Sequence, residues 1–122
     1  MNEIRYYHHR LIKNNEVTSL GGVTAGWYKT NTSIVFAISV CRDDEQYNKR
    51  TGIQLVNSRL ATPGAFHFEI PHHELIRLIN SQLIPKFFNT PINFSIKSIS
   101  NSAIIQIIKQ FIFINIVEET NG

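Results

Sequence analysis

Cysteine is nearly missing from this chain, with Cys41 the only one in 122 residues. No disulfide can form within it, so an oxidising compartment gains no support and a reducing cytoplasm is the expected setting. Acidic residues are missing over a long stretch. None lies between Leu75 and Val117, while Arg77, Lys86, Lys97 and Lys109 all do, which describes either a solvated basic surface or a positive wall for phosphate or an acidic partner. The N-terminal MNEIRYYHHRL lacks the apolar run of a signal peptide, so export is not expected. The Ile-rich stretch from Ala103 to Val117 is interrupted by Gln106, Lys109, Gln110 and Asn115. It falls short of the roughly 20 residues a membrane helix needs, which leaves a buried core element or an oligomer interface and no membrane partner.

What is present suits a small globular fold. A hydrophobic share of 43% against 17% charged residues is enough to bury a core at this length, and one domain over residues 1–122 is expected. The net charge of +3 tilts the choice of partner toward anions without naming one.

Alternation of Ile4, Tyr6, His8, Arg10 and Ile12 against Arg5, Tyr7, His9 and Leu11 predicts a first strand with two mixed faces. Asn14 and Asn15 offer a turn. Gly21 and Gly22 mark a turn or bulge, and Val23 to Lys29, Thr30-Asn31, then Ser33 to Cys41 read as a hairpin. Ile34 to Cys41 is apolar on both faces, as expected of an inner strand covered by helices. Asp43 followed by Gln46 resembles a capping box, which predicts a helix over about 44–60 with Asp44 and Glu45 at its positive end. Within that helix Gly52 costs about 1 kcal/mol relative to alanine, and close packing is its commonest justification.

Phe66 to Ile70 is a further strand candidate. Pro71 opens a second helix that Pro85 stops, with Leu75, Ile76, Leu78, Ile79 and Leu83 on its buried face. Ile92, Phe94 and Ile96 alternate as a strand, and the Ile-rich end predicts a helix leading into a terminal strand. The whole reads as an α+β fold, an antiparallel β-meander with two or three helices packed on one face.

The histidines His8, His9, His67, His72 and His73 are poorly spaced for a metal, since strand neighbours point to opposite faces and helix neighbours stand about 100° apart. His67-Phe68-Glu69 matches half of a zinc deaminase signature, but the Pro-Cys-x-x-Cys half is missing. Cys41, at the expected strand end beside a helix N-terminus, is placed either as an activated thiol or as a small core residue. No glycine-rich phosphate loop of Walker or Rossmann type occurs. No cofactor is implied.

Arg42, Lys49, Arg50 and Arg59 remain as a cation set, with Tyr28 and Tyr47 as aromatic surfaces. Guanidinium groups bind phosphate in a fork and aromatic faces stack on bases, so the set fits an anionic small ligand or nucleic acid.

The segment Cys41, Asp44, Tyr47, Lys49, Gly52, Arg59 and Leu60, at those spacings, resembles small accessory proteins encoded by phages and mobile elements. That resemblance implies a compact viral protein in the host cytoplasm, acting against host defence by binding a nucleotide signal, a nucleic acid or a protein. The combined expectation is a non-enzymatic homo-oligomer with an anionic ligand. The alternatives are an inhibitor docking on an acidic protein surface and a small hydrolase or nuclease using His67, His72 or His73.

Overall fold

The computed structural model describes residues 3–78 and 95–112. The order is β1 (Arg5–Lys13), β2 (Glu16–Lys29), β3 (Ser33–Gln46), α1 (Lys49–Ala61), β4 (His67–Pro71), α2 (His72–Leu78), a short 3₁₀ helix (Ile96–Ser98) and α3 (Asn101–Ile112). The strands form one antiparallel sheet in the order β1-β2-β3-β4, so the fold is α+β as the sequence implied.

Local chemistry explains the first hairpin. Asn14 and Asn15 adopt φ of 54° and 66°, a left-handed pair that asparagine tolerates and a tight two-residue turn requires. Lys13 opposes Glu16 directly beyond that turn, and the register then slips between Arg10 and Ile12. Gly21 and Gly22 sit at this irregularity inside β2, with φ of 77° and 149°. They form a bulge within a strand rather than a break between strands.

Two compact units can be distinguished: residues 1–28 with 35–69, and residues 29–34 with 70–122. In the first, β3 presents Val35 and Ala37 to Val56 and Leu60 of α1, with Ile4, Tyr6 and Tyr28 packed around them. Alternation sends Phe36 to the opposite face of β3. There it stacks on Phe68 of β4 at 5.0 Å between ring centroids. In the second unit, Leu75 of α2, Ile96, Ile99, and Ile104, Ile107, Ile108 and Ile112 of α3 are buried. The amide of His72 donates to the Thr32 carbonyl at 2.7 Å, and the Lys29 ammonium donates to the Ile99 carbonyl.

Several boundaries differ from the sequence reading. The helix expected from residue 44 begins at Lys49, with Asn48 as its N-cap accepting from the Thr51 amide at 3.1 Å. Asp43 is therefore no cap, because β3 runs on to Gln46 beside the long β2, and pairing overrides the poor strand propensity of aspartate. Cys41 accordingly lies within β3, away from its end. Ile96 and Lys97 are in a 3₁₀ turn where a strand was expected, and positions 92 and 94 lie outside the described residues. The remainder of the second helix toward Pro85 and the terminal strand beyond Ile112 also lie outside them.

Trp27 is 1% exposed, and its indole N–H has no hydrogen-bond partner. A buried orphan donor is costly, so Trp27→Phe exchanges some packing for removal of that penalty. Urea unfolding of this variant should fall within about 1 kcal/mol of the parent, against about 3–5 kcal/mol for Trp27→Ala. A loss for the phenylalanine variant as large as for alanine would mean that the indole N–H is satisfied after all.

Candidate functional site

The α1-facing side of the sheet changes character along its length. Near Val56 and Leu60 it is apolar, whereas toward the start of α1 the register brings His8 opposite Thr24 and Arg10 opposite Gly22 on the same face. Helix and strand approach closely between these regions. A Cβ on Gly52 would lie 2.2 Å from Thr24 Oγ1, and one on Gly26 would lie 2.5 Å from Val56 Cγ1. Each glycine thus receives a side chain of the other element.

Tyr47 arrives in this region just before the Asn48 cap, and its ring is 7% exposed. Its hydroxyl lies 2.6 Å from His8 Nδ1 and 2.7 Å from Thr24 Oγ1, with the Val23 carbonyl at 3.3 Å. With the imidazole neutral, the tyrosine donates to Nδ1 and the threonine donates to the phenol oxygen, which satisfies the three groups together. Burial lowers the His8 pKa, and the charges of Lys49 and Arg10 lower it further. Burial raises the Tyr47 pKa, against smaller opposing effects of the Thr24 hydrogen bond and Arg10. Both groups are therefore held in their neutral forms at neutral pH.

Arg10 covers this network, its guanidinium carbon 5.1 Å from the Tyr47 ring centroid. Lys49 and Arg50 occupy the first turn of α1, which contains no acidic residue. Neither forms an ion pair among the described residues. Cations at the positive end of a helix are electrostatically unfavourable, and a bound anion relieves that conflict.

The other expected site residues are engaged elsewhere. Arg42 pairs with Asp44 at 2.8 Å and Glu45 at 3.9 Å on the exposed end of β3. Arg59 donates to the Ile38 carbonyl at 2.7 Å and lies over the Phe66 ring at 5.2 Å. Tyr28 packs against the apolar cluster under α1, and Tyr47 offers its hydroxyl to the buried network rather than an open ring face. Lys49 is the member of the expected set whose charge acts on the His8 network. Arg10 and His8 complete the group; they were visible in sequence only as same-face neighbours on the alternating first strand.

The remaining histidines serve separate places. His67 Nδ1 meets the Arg59 carbonyl at 2.7 Å, His72 has a buried Nε2 without a partner, and His73 is exposed. No group of three or more metal-ligating side chains occurs among the described residues. Beside Tyr47, a cavity of about 160 Å³ is lined by Thr24, Ser39, Cys41, Glu45, Thr51 and Gly52 among others. The Cys41 thiol there points to the Glu45 carbonyl at 3.4 Å.

These features define an α+β protein with a polar recess beside Tyr47 and two cations, Lys49 and Arg50, in the first turn of the neighbouring helix. No protein-family model, curated protein or solved structure matches the chain. No described helix is long and apolar enough to cross a membrane.

Proposed function

We propose that this is a non-enzymatic binding protein of the phage or mobile-element accessory kind, acting in the host cytoplasm on an anionic ligand, with a nucleotide signal ahead of nucleic acid. The observation that carries the reading is the start of α1, where Lys49 and Arg50 stand without acidic partners and Arg10 adds a nearby positive charge over Tyr47. Such an arrangement favours phosphate through both the helix dipole and the side-chain cations.

Equilibrium dialysis against a nucleotide panel tests it directly. Lys49→Ala combined with Arg50→Ala should weaken binding at least about tenfold, since hydrogen bonds to charged groups contribute about 1.5–3 kcal/mol each. Arg42→Ala should change little, its charge being already paired with Asp44 and Glu45. Equal affinity of the parent and the double variant for every retained ligand would sink the proposal. A steep fall with salt for single-stranded DNA or RNA, alongside weak nucleotide binding, would instead favour nucleic acid.

One observation supports the protein-inhibitor reading. Ile12 and Val17 oppose each other near the hairpin tip and are 68% and 62% exposed, with basic Lys13 adjacent to Ile12. An exposed apolar pair flanked by Lys13 and Glu16 fits a partner surface with an apolar centre and a polar rim. Of the Ile-rich stretch expected to drive self-association, Ile104, Ile107, Ile108 and Ile112 are buried within the chain itself.

A further inference from the structure

We propose that Phe66 and Arg59 form a stacking site for a nucleobase, which adds a base-recognising element to the anion-binding reading and rests on it for the phosphate. Phe66 is unusual on two independent counts. Its φ of 63° lies in the left-handed region, where a bulky side chain is strained and glycine or asparagine is the ordinary occupant. The residue is also 39% exposed, one of the few large hydrophobics left at the surface. A phenylalanine that neither suits its backbone nor fills the core is badly placed for stability. Strain of this kind gathers where a side chain is held for a ligand.

Its surroundings hold the ring in place. The Ile38 amide donates to the Phe66 carbonyl at 3.0 Å and the His67 amide to the Gly64 carbonyl at 3.3 Å, which fixes the turn from α1 into β4. The Arg59 guanidinium lies over the ring, 5.2 Å from its centroid, and is itself anchored by donating to the Ile38 carbonyl at 2.7 Å. A fixed aromatic ring backed by a cation suits the face of a base, whichever base it is. The approach is open, because a Cβ on Gly64 would meet no atom within 4 Å.

Charge favours a base that brings phosphate over a neutral aromatic group. From Tyr47 to Phe68 there is no acidic residue, while Lys49, Arg50 and Arg59 all fall there. The guanidinium of Arg59 has further donors beyond the one given to Ile38, and such donors bind phosphate oxygens well. A base can arrive on a free nucleotide or within a single strand. Lys49 and Arg59 stand about 15 Å apart along α1, so a strand of several nucleotides engages both ends and a mononucleotide engages one.

Fluorescence anisotropy of the full chain with fluorescein-labelled decathymidylate, and with an abasic strand of the same length, tests the site, using adenosine monophosphate as competitor. Phe66→Gly and Phe66→Asn should each weaken decathymidylate binding about tenfold, the contribution of one stacked base. The abasic strand should bind the parent about tenfold more weakly and ignore both variants. Both variants suit the left-handed backbone, so their denaturant midpoints should equal or exceed the parent's, which separates lost binding from lost folding. Displacement of the strand by adenosine monophosphate assigns the base to a free nucleotide, and failure to displace assigns it to a single strand.

Unchanged binding by the Phe66 variants, or equal binding of base-bearing and abasic strands, overturns the stacking site. The anion-binding reading survives that result if Lys49→Ala with Arg50→Ala still weakens binding. Midpoints well below the parent's for both variants would make the ring a packing element and also overturn it. If neither strand nor nucleotide binds, both readings are wrong.

Discussion

Gly52→Val should lower the unfolding free energy by about 3 kcal/mol, at the upper end of the usual cost of overpacking. The reason is the 2.2 Å separation between a Cβ at position 52 and Thr24 Oγ1, with Thr24 Cβ following at 2.9 Å. Neither neighbour can yield easily, since Thr24 is fully buried on an inner strand and bonded to Tyr47. Alanine is a sharper test because it alone gains about 1 kcal/mol in helix propensity over glycine. Gly52→Ala should still destabilise, by about 1–2 kcal/mol, and pairing it with Thr24→Ala should recover part of the loss. Denaturant midpoints for the two single variants and the double variant give the coupling. An alanine variant more stable than the parent would show that α1 does not depend on this contact.

Tyr47→Phe should destabilise as well, because one hydroxyl serves both His8 and Thr24. Removing it leaves His8 and Thr24 with only their mutual 3.2 Å contact and should cost about 1 kcal/mol or more while preserving the ring. The companion measurement is pH dependence. Burial first, then Lys49 and Arg10, hold the His8 pKa below its ordinary value. In the unfolded chain His8 takes its proton near about pH 6.5, while in the folded chain it stays neutral to lower pH. The unfolded state therefore binds more protons in that window, so this residue's contribution is complete above about 6.5 and is lost as pH falls toward the folded value. His8→Asn offers an oxygen acceptor near the position of Nδ1 and cannot titrate. Between pH 7.5 and pH 5 it should lose less stability than the parent, and equal losses would show that His8 does not titrate differently on folding.

Much of the framework was readable before any coordinates, for specific reasons. Asn14-Asn15 has few alternatives to a tight turn, and the two-sided apolar run from Ile34 to Ile38 has few alternatives to an inner strand. The start of α1 was harder. Asp43 with Gln46 and Asn48 with Thr51 are both acceptable capping arrangements, and only the partner strand and the anchoring of Tyr47 against Thr24 decide between them. The same uncertainty displaced the site. Once the helix starts at Lys49, Arg42 falls on an exposed strand among its own acids, and Arg59 reaches back to a backbone carbonyl. Arg10 and His8 join Lys49 instead, a grouping that depends on β1 lying beside β2 in one register. No local pattern contains that information.

The exchange of side chains between Thr24 and Gly52, and between Val56 and Gly26, works as a double key. Two points of engagement one helical turn apart prevent α1 from sliding along its axis or rolling about it without collision. The amides and cations at its opening turn are thereby fixed in place before any encounter. Under the proposed function, capture of an anion at that end would demand little ordering of the protein, and most of the entropy lost would belong to the guest.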